Sequence, residues 1–415
     1  MMPGATAVRP RLFPGWRVLG LAIVTAALTA PGQTIGISVF VDHFIADLGL
    51  SRSGVSTAYL VGTLTAATAL PWIGRRIDAI GVRRAMTVIG VAFSIALVLM
   101  SRVNGFVTLA AGFVLIRMLG QGSLTLSSTV AVTLWFRRRR GLVLGLLATG
   151  SGMLMSLMPI ASNALIESVG WRSTWLVLGA LIAITVVPIG WFGMIDRPSD
   201  LGMEPDGFEP PASTDSLGVE HSFTRTEAVR TGRFWILVSA SASVGMLSTA
   251  LNFHQISLLG DAGLTAAEAA AMFLPQFVGT ALAGVAFGWV SDRLSGRTLI
   301  PMSMSILAAT LILAGFLDPG PIVLLYALML GAAGGASRSV GATLMPRWFG
   351  TDHIGAITGL STLAGVASTA VGPVAYSVAR DLSGGYTTAS LVFVVLPLAV
   401  SVAAIVAGVG RMTTH

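Results

Sequence analysis

Two arginines lie inside long apolar segments, where a permanent charge is costly. Arg338 occurs within "GAAGGASRSVGATLMPRW", residues 331–348, roughly 15 Å by helical rise from the polar end that Arg347 marks. Arg117 occurs within "IRMLGQG", residues 116–122, roughly 16 Å from the outer end of its segment. An arginine at a bilayer centre costs at least about 2.5–3.5 kcal/mol on insertion scales, so it normally faces a bundle interior or a cavity.

No carboxylate accompanies these two arginines at depth, because Asp42, Glu167, Asp261 and Glu268 all fall near outer helix ends. Backbone carbonyls and water could satisfy each guanidinium, or an anionic substrate could. The planar guanidinium can bind a carboxylate through two parallel hydrogen bonds. We expect Arg338 to bind a substrate anion. A structural hydrogen-bond role and a misplaced helix boundary are the alternatives. For Arg117, a structural or gating role is an equal alternative to substrate binding.

His254, in "STALNFHQISLL", is the only histidine placed inside an apolar segment. Its charge changes near neutral pH, so it could carry a coupling proton; the alternative is a satisfied polar residue near a helix end. Seven other polar residues could line a central cavity or simply bond between helices: Gln33, Tyr59, Gln121, Asn252, Gln255, Gln276 and Tyr326. Five scattered histidines and the absence of cysteine predict no metal site and no cofactor.

The composition indicates a membrane protein that must position these residues on helices. Of 415 residues, 54% are hydrophobic and 10% charged, whereas a soluble domain has about 25% charged residues. Apolar runs of about 20 residues can span a bilayer. Twelve such spans are predicted, at about 17–41, 53–73, 85–101, 106–135, 141–166, 172–194, 234–258, 266–290, 298–316, 321–346, 353–379 and 388–410. The sequence therefore predicts an all-α protein with twelve transmembrane helices.

The net charge of +7 is a topological signal. Fifteen of the 25 arginines lie in the termini and short loops of one side, and only Arg52, Arg102, Arg172 and Arg380 lie on the other. The positive-inside rule then places both termini in the cytoplasm. We expect a multi-pass protein of the bacterial inner membrane. The positive net charge is then explained by contact with the lipid bilayer, and no nucleic-acid partner is expected.

A polar stretch at 196–232 is rich in Pro, Gly, Ser and acidic residues and reads as a cytoplasmic linker. It separates an N-terminal six-helix bundle, residues 1–195, from a C-terminal one, residues 233–415. The two halves repeat each other. Gly74, Asp78 and Arg83 of "GRRIDAIGVRR" match, in that order, three residues of "GWVSDRLSGRT" that each lie 214 positions later: Gly288, Asp292 and Arg297.

The repeat continues into the later helices of each half. "WFRRRRGLVLG" and "WFGTDHIGAITG" match at 213 or 214 positions, and Pro159 matches Pro373 at 214. By the 213-residue offset Arg338 corresponds to Thr125 and not to Arg117, so it is an asymmetric addition to the second half. Repeats related along the membrane normal are typical of the major facilitator superfamily, with a binding site near midplane between two pseudo-symmetric six-helix bundles.

Two motifs resemble those of that superfamily. "GRRIDAIGVRR" is similar to the signature loop between its helices 2 and 3, G-x-x-x-D-R-x-G-R-R, although Ala79 replaces the usual basic residue. The resemblance implies that the glycine permits close packing, that the aspartate pairs with an arginine or caps a helix, and that the charges latch one conformation. The implied gating residues are Gly74, Asp78, Arg83, Gly288, Asp292, Arg293 and Arg297. "IRMLGQG" resembles the helix-4 motif.

Three further stretches resemble the monocarboxylate transporter and oxalate–formate antiporter branch: "GQTIGISVFVDHFIADLGLSRSGVSTAYLVGTL", "LWFRRRRGLVLGLLATGSG" and "RWFGTDHIGAITGLSTLAGVASTAVGP". That branch binds substrate through a lysine in helix 1 or 11 and charges in helix 8. This chain has no lysine, and its helices 8 and 11 lack those charges. The substrate therefore does not carry over from either relative.

Together these observations predict a secondary transporter, not an enzyme, that moves a small organic anion by alternating access. A monocarboxylate is the expected substrate, with proton-coupled symport or anion exchange as the coupling and a monomer as the working unit. A drug or metabolite exporter of the same fold is the first alternative, but it would commonly carry a cavity carboxylate. A membrane-embedded lipid-modifying enzyme is the second, but it would need clustered catalytic groups.

Overall fold

The computed structural model describes residues 13–207, 222–350 and 352–407 of the 415-residue chain. These residues are overwhelmingly helical, and no strand occurs among them. In a bilayer the backbone must satisfy its own hydrogen bonds, which favours helices. Ten of the helices are long and apolar enough to cross a membrane.

Twelve membrane-crossing elements follow in chain order. In the first half they are α1 (Pro14–Ala27), α2 (Arg52–Ile80), α3 (Val82–Met100), α4 (Phe106–Trp135), α5 (Arg140–Val169) and α6 (Trp171–Gly193). In the second half they are α7 (Gly232–Asp261), α8 (Ala266–Ser291), α9 (Gly296–Gly315), α10 (Pro321–Phe349), α11 (Ile354–Ser383) and α12 (Tyr386–Val406). The ten apolar spans are α3 to α12. The other two are α2, which carries charges near its end, and α1, which is short.

The first span is interrupted rather than continuous. After α1 the chain forms a 3₁₀ turn at Ala30–Gly32 and short helices at Thr34–Ser38 and Val41–Leu48. Pro31 within the turn has no backbone N–H to donate, which favours a break in the helix. The break leaves the Gly32 carbonyl available to a side chain of another helix.

The motif expected in the loop between helices 2 and 3 lies instead on the last turns of α2 and the first residues of α3, on either side of Gly81. The predicted span ended near residue 73, whereas α2 continues to Ile80 and stops at Gly81, whose φ is 84°. A positive φ of this kind suits glycine, which has no Cβ to clash. Because α3 begins at Val82, the connection is very tight.

The two halves are built alike. The first residues of α2, α3 and α5 precede those of α8, α9 and α11 by 214 positions each. In the first half α2 packs on α4, α3 on α6 and α1 on α5; in the second, α8 packs on α10, α9 on α12 and α7 on α11. These matching pairs make two pseudo-symmetric six-helix bundles.

The halves meet through helix pairs of both bundles. Helix α2 packs against α11, α5 against α8, and α7 against the short helix Thr34–Ser38. The rings of Tyr59 on α2 and Phe253 on α7 lie 4.8 Å apart between centroids. This contact lies roughly 10–12 Å from the helix ends at Arg52 and Asp261.

Two ends of the bundle differ in charge. The basic end comprises the α2–α3, α4–α5 and α8–α9 connections, with Arg75, Arg76, Arg83, Arg84, Arg137 to Arg140, Arg293 and Arg297. The opposite end holds the three ion pairs found in the described part of the chain, Arg52–Asp42, Arg172–Asp47 and Arg380–Asp261. Three of the four arginines at that end, all except Arg102, are partly neutralised, so the excess charge is concentrated at the basic end.

The segment after α6 is tied to the basic end by two carboxylates. Asp196 accepts a hydrogen bond from the backbone N–H of Arg83 at 2.7 Å, at the start of α3. Asp206 accepts from the backbone N–H groups of Arg137 and Arg138 at 2.8 and 2.7 Å, just before α5. Burial alone would raise the pKa of Asp206, but its backbone hydrogen bonds outweigh burial and lower that pKa.

Candidate binding site within the helix bundle

Arg117 is held in a buried polar cage between three helical elements of the first half. Its side chain is only 3% exposed. Nε donates to the Thr63 hydroxyl on α2 at 3.1 Å, and Nη1 donates to the Gly32 carbonyl at 3.3 Å. The guanidinium carbon lies 4.7 Å from the centre of the Tyr59 ring, an arrangement that stabilises a cation. No carboxylate pairs with it among the described residues, so hydroxyl, carbonyl and ring contacts are what the described chain offers its charge.

The backbone that carries Arg117 is irregular. Residues Arg117–Leu124 form a π-helical segment within α4. Helix α4 has 30 residues where its counterpart α10 has 29, and the wider i→i+5 turns of a π-helix accommodate an extra residue. Such segments recur at functional sites because they re-aim side chains that a regular helix would present elsewhere.

A cavity of about 330 Å³ lies beside this segment, which falls within the usual size range of small-molecule sites. Five polar residues line it, together with Val366 of α11: Thr63, Arg117, Gln121, Thr125 and Thr129. The Thr125 hydroxyl is buried and has no hydrogen-bond partner among the described residues. The cavity therefore combines one cation, one amide and three hydroxyl groups in an apolar surround.

Tyr59 and Gln33 belong to the same region but do not line this cavity. The Tyr59 hydroxyl lies 2.7 Å from the Thr34 hydroxyl. Gln33 donates through Nε2 to the Thr29 hydroxyl at 3.2 Å, next to the Gly32 carbonyl that receives Arg117. Both residues thus shape the break in the first span, which in turn holds the arginine.

Arg338 lies beside the tightest helix contact of the second half. A Cβ added to Gly331 would lie 1.8 Å from the Gln276 carbonyl oxygen, and one added to Gly335 would lie 2.2 Å from the Thr280 carbonyl oxygen. One turn on, the Ser339 hydroxyl donates to a carbonyl of α8 at 2.8 Å. These small residues bring α10 against α8, and Arg338 emerges at the edge of that contact.

The face of α10 that carries Arg338 is open. Gly334 and Gly341, four residues before and three after, have no atom within 4 Å of an added Cβ. The Arg338 side chain is exposed and makes no hydrogen bond or ion pair within the described part of the chain. No such contact joins it to the cage around Arg117, so the structure places the two arginines in separate surroundings.

The other polar residues of the second half are more enclosed. Gln276 donates through Nε2 to the Asn252 side-chain oxygen at 2.8 Å, while its own oxygen has no partner among the described residues. The Tyr326 hydroxyl is fully buried, also without such a partner. His254 is 1% exposed, and its Nε2 lies 3.0 Å from the Pro373 carbonyl. A carbonyl only accepts, so Nε2 carries the proton and Nδ1 is left without a hydrogen-bond partner among the described residues.

The gating residues expected in the first half make fewer contacts than their motif implies. A Cβ added to Gly74 would meet its nearest side-chain atom at an ordinary 3.7 Å, so close helix packing is not seen there. Asp78 is exposed and makes no hydrogen bond or ion pair within the described residues. Arg83 instead meets Asp196 through its backbone N–H, and its Nε donates to the Trp191 carbonyl at 2.7 Å. Asp196 thus takes the capping role expected of Asp78.

Their counterparts in the second half are similarly open. No atom lies within 4 Å of a Cβ added to Gly288, and both Asp292 and Arg297 are exposed. The guanidinium carbon of Arg293 lies 3.7 Å from the centre of the Trp289 ring, and its Nη1 donates to the Trp289 carbonyl at 3.1 Å. These four residues form no latch with the first half in this conformation among the described contacts.

Comparison with known proteins identifies the fold and its relatives. The sequence pattern of the Major Facilitator Superfamily matches residues 18–373. By structure, the chain resembles a bacterial homologue of the human lysosomal transporter Spinster, with a TM-score of 0.75, 16% identity and coverage of 96% of this chain and 98% of the other. It also resembles the nucleoside transporter NupG, with a TM-score of 0.73, 12% identity and coverage of 95% and 99%.

The curated relatives are similar at low identity. Monocarboxylate transporter 11 of Mus musculus is 26% identical over 395 residues, covering 91% of this chain and 84% of the relative. The transporter asaE of Aspergillus flavus is 28% identical over 273 residues. The latter match covers 62% of this chain and spans just over half, 55%, of the relative.

Proposed function

The chain belongs to the Major Facilitator Superfamily, and from this premise we propose that it transports a small organic anion, with a monocarboxylate as the first candidate. The transport would proceed by alternating access, in which the two six-helix bundles rock around a central site. The curated relatives that are monocarboxylate transporters support this class of substrate. At their low identity they do not specify which anion.

Arg338 carries the proposal. It is a permanent cation in the interior part of α10, its face of the helix is open, and no carboxylate or carbonyl of the described chain satisfies it. A guanidinium in that position pairs favourably with a carboxylate, which it can bind through two parallel hydrogen bonds. Arg117 would act as a second cation or as a gate beside the cavity of α2 and α4.

The coupling follows from the absence of acidic groups near either arginine in the described chain. A symporter needs a proton carrier, and His254 or the substrate carboxylate itself could supply one. His254 joins α7 to α11 within the second half through the Pro373 carbonyl, and its Nδ1 has no hydrogen-bond partner among the described residues. Exchange of one anion for another is the alternative coupling.

The membrane topology is part of the same proposal. The basic end would face the cytoplasm of a bacterial cell and the opposite end the outside, because basic loops are retained on the cytoplasmic side. The segment between α6 and α7 would then be a cytoplasmic linker. Tyr59 and Phe253 would close the outer side in this conformation, and the transporter would work as a monomer.

The decisive experiment is uptake of labelled lactate, pyruvate, acetate and benzoate into proteoliposomes, with and without an inward proton gradient. The variants are Arg338→Ala and Arg338→Lys, and the matched control is Arg102→Gln, which removes one exposed arginine from the opposite end. We expect Arg338→Ala to lose at least tenfold in uptake of every active anion, Arg338→Lys to lose less, and the control to match wild type.

Two results would overturn the assignment. Undiminished anion uptake by Arg338→Ala would remove Arg338 from the binding site. Outward movement of organic cations, with no anion transported by wild type, would replace the proposal by a drug or metabolite exporter of the same fold.

A further inference from the structure

A second cavity of about 370 Å³ lies on the other side of the π-helical segment of α4. Residues between 69 and 80 of α2 and between 85 and 92 of α3 form its walls, and Met118, Leu119 and Ser123 form its floor. None of these residues lines the cavity beside Arg117 and Gln121. The segment Arg117–Leu124 therefore separates two cavities, the first with five polar lining residues and the second with two.

The second cavity is an apolar groove that opens sideways between α2 and α3. Among the described residues that line it, only Arg76 and Ser123 are polar. At its mouth Trp72 is 56% exposed and Val88 is 62% exposed. Both helices cross the membrane, so an exposed apolar groove between them is filled by hydrocarbon rather than water.

The position of Arg76 indicates the chemical class of the molecule that fills the groove. Its guanidinium lies 5.1 Å from the centre of the Trp72 ring, it is exposed, and it makes no ion pair or hydrogen bond within the described residues. It is four residues from the end of α2, or about 6 Å along the axis. This is the depth at which lipid headgroups meet a helix end, where a tryptophan also prefers to lie.

We propose that this groove binds one phospholipid with an anionic headgroup, whose phosphate pairs with Arg76 and whose acyl chain lies between α2 and α3. From Arg76 to Ala69 the wall formed by α2 is about 10 Å long by helical rise, and it accommodates the headgroup-proximal part of an acyl chain in a leaflet whose hydrocarbon depth is about 15 Å. The acyl chain would pack on Met118 and Leu119, the reverse face of the segment that presents Arg117 and Gln121 to the polar cavity.

Photocrosslinking tests this site without knowledge of the transported substrate. The protein is placed in phosphatidylcholine nanodiscs that contain a trace of phosphatidylglycerol with a diazirine in its acyl chain, and the crosslinked peptides are mapped. We expect crosslinks concentrated on the groove residues of α2, α3 and α4. Unlabelled phosphatidylglycerol should displace the probe, and unlabelled phosphatidylcholine should not.

Matched variants separate the headgroup from the groove. Arg76→Gln should weaken competition by phosphatidylglycerol about fivefold, the ratio expected for one basic residue at an anionic membrane surface. Arg84→Gln removes an exposed arginine of the same end that does not line the groove, and should have no such effect. Ala92→Phe should abolish crosslinks to Met118 and Leu119, whereas Val91→Phe, on the exposed face of α3, should preserve them.

Three results would overturn the proposal: crosslinks spread evenly around the bundle, equal competition by the two lipids, or equal effects of Arg76→Gln and Arg84→Gln. Both arginines are exposed, so these variants are expected to fold. Should Ala92→Phe fail to fold, the charge reversal Arg76→Glu decides instead: it must abolish the preference for phosphatidylglycerol over phosphatidylcholine.

Discussion

Arg117 rests on the ring of Tyr59, with 4.7 Å between the guanidinium carbon and the ring centre. The same ring meets Phe253 of the second half at 4.8 Å. One aromatic side chain therefore contacts both the buried cation of the first half and the surface of the second. A change in the inter-half contact would move the support of Arg117, which gives a physical route from rocking of the bundles to the cavity.

The first prediction separates the ring from its hydroxyl. Tyr59→Leu removes the stacking of the cation on the ring, worth about 2 kcal/mol when desolvated, and should lower the thermal unfolding midpoint in detergent. Tyr59→Phe keeps the ring and removes the hydroxyl that bonds to the Thr34 hydroxyl, so it should unfold closer to wild type than Tyr59→Leu. Equal losses in the two variants would show that the hydroxyl, and not the ring, supports Arg117.

The second prediction concerns two glycines of α10 that differ only in what they face. Gly331→Ala places a Cβ 1.8 Å from a backbone oxygen of α8, which is overpacking that costs about 1–3 kcal/mol. Gly334→Ala meets no atom within 4 Å and should be neutral or stabilising by up to about 1 kcal/mol, because alanine favours a helix. Thermal unfolding of the two variants measures the difference. A destabilised Gly334→Ala would contradict the open face beside Arg338.

The helical membrane fold could be predicted because both of its signals extend over long stretches of the chain. These signals are the apolar runs and the motifs that the two halves share. Prediction from the sequence misplaced the helix ends, as at α2, which continues through Gly74 and Asp78 to Ile80. Polar residues near a membrane surface are compatible with either a loop or a helix. A helix end predicted from apolar residues alone therefore falls before the true end of the helix. The interruption after α1 was also missed, because the apolar run of the first predicted span continues through the break. Apolar content also does not show that the Gly32 carbonyl will accept a hydrogen bond from Arg117.

The sequence singled out Arg117 and Gln121 as candidate binding residues. The two line the same cavity, and their role in binding stays a prediction. The π-helical segment that carries them was not expected, although a signal was present. The repeat offset falls from 214 at Arg83 to 213 at Trp135, which indicates one extra residue in the first half between these points. Thr63, a hydrogen-bond partner of Arg117, carried no signal, because threonines are common in membrane helices.

The third prediction concerns the pH dependence of the linker. The ordinary pKa of the Asp206 carboxyl is 3.8, and its hydrogen bonds to the backbone before α5 lower it in the folded protein. A lowered pKa means that the carboxylate stabilises the fold fully above the ordinary value and loses this effect as the pH falls through the folded value. The effect is thus fully present at neutral pH, weakens as the pH falls below about 4, and is lost once the pH is below the lowered folded value.

Amide hydrogen exchange measures this tie directly. At neutral pH, Asp206→Ala should speed exchange of the Arg137 and Arg138 amides, since both donate to this carboxylate. Between pH 5 and pH 3, after correction for intrinsic rates, the protection of wild type should fall toward that of the variant. The control is Asp200→Ala, a change in the same segment whose carboxylate accepts only from the Arg197 backbone among the described residues. Equal exchange of the Arg137 and Arg138 amides in wild type and Asp206→Ala at neutral pH would contradict the assignment.

The fourth prediction uses the absence of cysteine from the whole chain. Any introduced pair of cysteines reacts without background, so Tyr59→Cys combined with Phe253→Cys tests whether this contact must open during transport. A short bifunctional thiol reagent that joins the pair should arrest uptake of the active anion in proteoliposomes, because α2 and α7 could no longer separate. A cleavable version of the reagent should restore uptake on reduction. The two single variants, treated in the same way, control for modification alone. Undiminished uptake by the fully crosslinked protein would show that the two halves stay together here throughout the cycle.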